Sequence, residues 1–201
     1  MSQAQQLSVS VYPFTQLPKE AKKIVTDRHI ELGWYDYSDS ESADYNQSLA
    51  VFNSAFNNTF NYLLVGDAAK EFLVHSINRA VQIQAKANHF FEESLKKEYG
   101  GEITNLEDAL IVAKSCSLTG VCTDFYLMDT IIKFLDGTAY QDLTIKELLS
   151  KAKANGRNEL NKICRFFSTR KHVEECLTEM CEDLFFKDGT TVPKALLDQA
   201  A

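Results

Sequence analysis

Residues Asp67–Tyr99, DAAKEFLVHSINRAVQIQAKANHFFEESLKKEY, decide the fold class of this chain. Phe72, Leu73, Ile77, Ala80, Ile83, Ala87, Phe91 and Leu95 recur every three to four positions, the period of one face of an α-helix. Asp67 can accept from free amides of a first turn, and Gly100-Gly101 supplies a stop where left-handed backbone is needed. No Pro or Gly interrupts the run. One helix of this length would reach about 50 Å, so the pattern predicts a spine on which other helices pack. Ser76, Ala80 and Ala87 on its apolar stripe would let a neighbour approach closely.

Outward from that spine the chain reads as further helices with a small β element at the two ends. Leu7–Phe14 alternates apolar and polar residues and is expected as a strand that Pro13 either ends or places on a sheet edge. Thr15 is expected to cap a helix with Pro18 in its first turn and Gly33 at its end. His29, following Arg28, is placed on the exposed side of that helix. Trp34–Tyr45, WYDYSDSESADY, shows no helical period and reads as a flexible acidic-aromatic loop, 34–45.

A second helix is expected from about Asp44 to Val65, with Leu49, Phe52, Phe56, Phe60, Leu63 and Leu64 inward. Its other face carries Asn53, Asn57, Asn58 and Asn61, polar yet uncharged, as at a seam. After the spine, Asn105 caps a short helix with acids in its first turn. Val121–Leu135 is apolar nearly all round and is expected as a buried helix closed by Asp136-Gly137. Thr144 caps a helix expected to stop at Asn155-Gly156, and two short helices are expected between Asn158 and Phe186, the second capped by Ser168. Asp188-Gly189 predicts a type I′ hairpin. The expected fold is therefore a mainly α single domain over 1–201, α+β only in that the N-terminal strand and the C-terminal hairpin meet.

Composition narrows the function classes. The hydrophobic fraction of 45% and charged fraction of 24% are those of an ordinary globular chain. No window resembles a membrane span or a secretory leader, so a cytoplasmic location with reduced cysteines is expected. The net charge of −7 is segmented. Glu31, Asp36, Asp39, Glu41, Asp44 and Asp67 are the only charges in 30–69. Lys151, Lys153, Arg157, Lys162, Arg165, Arg170 and Lys171 face only Glu159 in 151–172. Acids return after Val173. Segments of opposite sign can attract one another within a fold.

Three chemistries are open to these residue types. Cys164, His172, Cys176 and Cys181 are ligand types for zinc, but positions five apart lie about 140° apart on a helix and there is no C-x-x-C. They read as buried structural residues. Neither a nucleophile elbow, nor a phosphate loop, nor a dinucleotide glycine pattern is present, so no catalytic residue and no cofactor is assigned. The basic block, with Phe166 and Phe167 inside it, offers Arg157, Arg165, Arg170 and Lys171 as phosphate contacts for a nucleic acid.

The two ends carry a resemblance. Tyr12-x-Phe14-x-x-Leu17-Pro18-x-Glu20-Ala21-Lys22, running on to Trp34-Tyr35, resembles the start of small accessory proteins of tailed bacteriophages. Phe185-Phe186-Lys187-Asp188-Gly189 is similar to the F-x-x-D-G hairpin that ends them. The Gly- and Phe-rich central strands of such proteins are replaced here by the long helix. The resemblance implies a non-enzymatic phage or mobile-element protein that occupies a host protein, such as a defence component, in the manner of an anti-CRISPR or other anti-defence inhibitor. Its site carries over no catalytic residue. On the residues themselves, Trp34, Tyr35, Asp36, Tyr37, Asp39, Glu41, Asp44 and Tyr45 are the candidate contact set. Trp and Tyr concentrate binding energy, and carboxylates steer towards a basic partner surface. A host protein is the expected partner, nucleic acid the second class and a motif-less small enzyme the third; self-association is compatible with all three.

Overall fold

The computed structural model describes residues 10–57, 64–115, 118–121 and 123–197. The chain is mainly α. Nine α-helices and one two-stranded antiparallel sheet are found among the described residues. They fall into two compact units, one made of residues up to Tyr37 together with those from Cys164 onward, the other of Ser38–Ile163.

The first unit joins the two ends of the chain. Strand β1 (Tyr12–Pro13) pairs antiparallel with β2 (Leu184–Phe185), Tyr12 opposite Phe185 and Pro13 opposite Leu184, as the meeting of strand and hairpin predicts. The expected strand residues 7–9 lie outside the described residues. The hairpin turn is not type I′. Tyr140 is the one non-glycine residue with positive φ among the described residues, so Asp188 cannot supply the left-handed conformation that type demands. Instead Phe186 accepts from the Gly189 amide at 2.9 Å, and Gly189 takes the left-handed position at φ +88° as the bulge. The Asp188 carboxylate accepts from the Thr190 amide at 2.9 Å, which holds its pKa below the usual value.

Helix α1 (Lys19–Leu32) starts later than expected. A residue before proline is pushed out of helical backbone, and Leu17 is extended at ψ 147°. Phe14–Gln16 is therefore a separate 3-10 turn, with the helix beginning after Pro18. Gly33 ends it at φ +64° as expected. Helix α8 (Arg170–Glu179) packs on α1. Phe14, Leu17, Ala21, Val25, Val173, Leu177 and Phe185 form the core of this unit. Thr169, not Ser168, caps α8: its hydroxyl accepts from the His172 amide at 3.2 Å.

In the second unit α3 (Gly66–Ala87) is the spine, packed against α2 (Ser38–Phe56), α4 (His89–Tyr99), α5 (Leu106–Ala113) and α6 (Asp124–Leu135). Ala69, Leu73, Ser76, Ile77, Ala80 and Val81 are fully buried along it. The single long helix read from the sequence is divided. Asn88 leaves helical backbone (φ −136°, ψ 106°), and its carboxamide accepts from the amides of Phe90 and Phe91 at 3.1 and 3.3 Å. Asn competes for backbone amides as a cap better than it continues a helix, so α4 restarts after it and Leu95 joins the core. Gln82 donates to the Gly101 carbonyl at 2.6 Å and the Ile103 amide to Asn78 at 3.0 Å, which ties the returning chain to α3.

Two further expectations are corrected. α2 begins at Ser38, within the expected loop, and does not reach Val65, which is extended at the start of α3; Phe60 and Leu63 lie outside the described residues. α7 runs unbroken from Ile145 to Phe167, straight through Asn155-Gly156. Thr144 and Glu147 cap it as a reciprocal box, the Glu147 carboxylate accepting from the Thr144 amide at 2.9 Å and hydroxyl at 2.7 Å. The last four residues of α7 belong to the first unit. Among the described residues no helix is long and apolar enough to cross a membrane.

Candidate partner-binding surface

The turn Gly33–Tyr37 of the first unit brings four of the eight expected contact residues together. Its aromatic rings are seated on His29 and His172, neither of which the sequence placed beside the turn. His29 was expected on the exposed side of α1; it is buried, continuing the stripe of Ala21 and Val25. Its Nδ1 donates to the Val25 carbonyl at 2.8 Å. Trp34 meets the imidazole edge-on (4.7 Å, 87°) and Tyr35 stacks on it (5.8 Å, 13°). On the other side, His172 of α8 donates from Nε2 to the Tyr35 carbonyl at 3.1 Å. Its ring lies 5.1 Å from both Phe166 and Phe167 at the end of α7, and Tyr37 packs edge-on against Phe167 at 5.5 Å.

These contacts hold the rings without covering them. Trp34 is 57% exposed, Tyr37 42% and Phe166 38%. Tyr35 and Phe167 are half-buried beneath them. A small cavity of about 50 Å³ lies under the turn, lined by His29, Tyr35, Asp36, Phe167, Ser168 and Val173 among others. The His29 Nε2 atom is buried and has no partner among the described residues.

The other expected contact residues lie in the second unit, on α2. Tyr45 is core: it is 2% exposed and its hydroxyl donates to the Lys153 carbonyl at 3.4 Å. Burial raises its pKa, opposed by the guanidinium of Arg157. Glu41 accepts from the Tyr126 hydroxyl at 3.4 Å, Asp39 is exposed and Asp44 half-buried. The continuous acidic-aromatic loop is thus a five-residue aromatic turn followed by a helix.

The alternative phosphate set is dispersed as well. Arg170 is ion-paired with Asp27 and lies 3.6 Å from Glu174, and Lys171 lies 3.8 Å from Glu175. Arg157 and Arg165 are exposed on α7. Part of the charge segmentation is therefore resolved by pairing within the first unit.

Cys176 and His172 touch, with Sγ 3.5 Å from Nε2. Burial first, then Glu179 and Glu175, raise the Cys176 thiol above its ordinary pKa, and the His172 Nε2 hydrogen is committed to a carbonyl. Both effects oppose a thiolate nucleophile at this pair. Cys164, Cys176 and Cys181 are free thiols, and among the described residues no group of three or more His, Cys, Asp or Glu side chains is placed to hold a metal ion.

Tyr35 makes a pH prediction. Burial and the adjoining Cys181 thiol, with smaller contributions from Cys176 and Asp183, push its phenol up from 10.0 to about 12. A group whose folded pKa lies above its unfolded value contributes stability in full below the unfolded pKa and loses it as pH rises through the folded one. The urea midpoint of the wild-type chain should therefore fall between pH 10.0 and about 12 more steeply than that of Tyr35→Phe. Parallel profiles would remove Tyr35 as the source.

Compared with known proteins, the chain matches no family model, no curated protein and no solved structure.

Proposed function

We propose that the chain is a non-enzymatic accessory protein of phage or mobile-element origin that acts in the bacterial cytoplasm by occupying a host protein. A component of a defence system is the target class. The observation that carries the reading is the aromatic turn: Trp34 and Tyr37 offer large exposed rings while histidine and phenylalanine contacts beneath them fix their orientation. Rings already held in place lose little conformational freedom on binding, so more of their burial appears as affinity. Asp36, an exposed carboxylate, sits between them in sequence, a sign suited to a basic partner surface.

The double variant Trp34→Ala/Tyr37→Ala tests this. Tagged wild-type and variant chains are used to capture partners from bacterial lysate, and the captured protein is then purified and titrated against both. Loss of two anchoring rings should weaken the purified pair by about a hundredfold or more. Thermal melting should fall by no more than about 3 °C, since Trp34 is more than half in solvent and Tyr37 keeps 42% of its surface exposed. A partner that binds both chains equally overturns the assignment of this surface.

A further inference from the structure

The seat of the aromatic turn is a buried histidine with one nitrogen in use and the other covered. His29 is 2% exposed, and its Nδ1 lies 2.8 Å from the Val25 carbonyl. A carbonyl can only accept, so Nδ1 carries the hydrogen and the neutral ring keeps a lone pair on Nε2. That nitrogen is sealed from solvent and has no hydrogen-bond partner among the described residues. The cover is aromatic, with Trp34 edge-on at 4.7 Å and Tyr35 stacked at 5.8 Å.

A neutral imidazole tolerates this seat. A protonated one does not, because its second N–H becomes a buried donor without an acceptor, on a ring that holds its charge away from water. The neighbouring groups do not relieve it in place. On α1, Asp27 is ion-paired with Arg170 of α8, Arg28 has the wrong sign and Glu31 is exposed. On α8, the His172 Nε2 hydrogen is committed to the Tyr35 carbonyl. From the end of α7, Phe167 and Ser168 reach the cavity beneath the turn without a charge. The Tyr35 phenol, pushed up to about 12, stays protonated at neutral and acid pH. Asp36 lines the same cavity but makes no bond to Nε2, so its carboxylate can take the new hydrogen only if the turn that carries it moves. A proton on Nε2 and a closed turn therefore exclude each other.

We infer that His29 is a proton-operated latch: the neutral ring holds the Gly33–Tyr37 turn in place, and protonation releases Trp34 and Tyr35 from it. Histidine is the side chain type whose charge changes between about pH 5 and 8. The neutral form stabilises the closed turn, so the hold is complete at the alkaline end of that window and is lost as pH falls. With the turn as the contact surface, as proposed above, partner binding is strongest at the alkaline end. The latch itself does not depend on that reading.

Trp34 is the only tryptophan of the chain, so its fluorescence reports the turn directly. The full wild-type chain is titrated from pH 8 to about pH 5, which stays above the ordinary carboxylate range. Emission should move to longer wavelength and acrylamide quenching should rise as pH falls, both reversing on return to pH 8. His29→Phe keeps a ring under the turn but takes no proton, and its emission should stay at the wild-type pH 8 position throughout. His29→Gln is a second variant without a titrating ring, and should show no pH-dependent shift. His172→Gln removes the other imidazole of this unit and should leave a shift of the same sign. A wild-type wavelength that does not change between pH 8 and pH 5 overturns the inference. So does a fall in intensity without a shift, which means that the ring charges with the turn still closed. So does a shift that persists in His29→Phe and His29→Gln, or one that disappears only in His172→Gln. The free chain is used throughout, so failure here leaves the contact-surface reading to the capture experiment.

Discussion

Replacing Asp124 with Ala is expected to lower the stability of the second unit by about 4 kcal/mol. Asp124 is completely buried at the start of α6. One carboxylate oxygen accepts from the backbone amides of Leu118, Thr119 and Gly120 at 2.9, 2.8 and 3.0 Å. The other accepts from the hydroxyls of Ser48 at 2.6 Å and Thr119 at 2.8 Å. Removing the side chain strands these donors away from water, and each buried donor left without a partner costs about 1–3 kcal/mol. Relaxation and an entering water return some of that, which is why the sum is not simply additive. Asp124→Asn should lose less, about 2 kcal/mol, because one oxygen remains while the new amide faces donors. Urea denaturation of wild type, D124A and D124N measures the series. A loss below about 1 kcal/mol for D124A would mean that the 118–121 loop is held by other contacts.

Asp124 also marks where the sequence stops being legible. It sits in a stretch that reads as apolar nearly all round, and nothing local says that its carboxylate closes a loop rather than faces solvent. Its bonds to Leu118, Thr119 and Gly120 come from the loop just upstream, and the Ser48 hydroxyl of α2, which completes the set, arrives from 76 residues away. Local signals fared better. Gly33, Asn105 and the Thr144–Glu147 box end or start helices where the chain pattern places them, because capping chemistry is decided within four residues. The apolar period of Asp67–Tyr99 correctly marks the spine, but Asn88 was weighed as one more helical residue when its side chain is better at capping.

The aromatic turn was partly legible. Trp34, Tyr35 and Tyr37 announce themselves by composition. Ser38-Asp39-Ser40-Glu41 is itself a helix start, acids in a first turn after a serine, hidden because the mixture of aromatics, acids and Ser over 34–45 shows no apolar helical period. His29 had a usable signal in its four-residue spacing from Ala21 and Val25, masked by its charged neighbour Arg28. His172, Phe166 and Phe167 had none, since what joins them to the turn is tertiary packing.

Gly156 gives the second large effect. It lies inside α7 and is not among the glycines with left-handed backbone, so what it resists is volume rather than a helical conformation. An added Cβ would meet the Tyr126 carbonyl oxygen and Leu127 Cδ2 at 3.1 Å and the Tyr45 ring at 3.2 Å. The carbonyl belongs to the backbone of α6 and Tyr45 is fully packed, so neither can give way without moving an element. At an exposed helical site Gly→Ala would stabilise by about 1 kcal/mol. Here overpacking costs about 1–3 kcal/mol, so Gly156→Ala should be destabilising by about 1 kcal/mol net. Gly156→Leu adds three more carbon atoms to the same gap and should lose about 3 kcal/mol or more. Denaturant midpoints measure both, with circular dichroism at low denaturant showing native helix content in each folded variant, since the helix itself is not the casualty. A Gly156→Ala chain more stable than wild type would show that α7 stands further from α2 and α6 than these distances require.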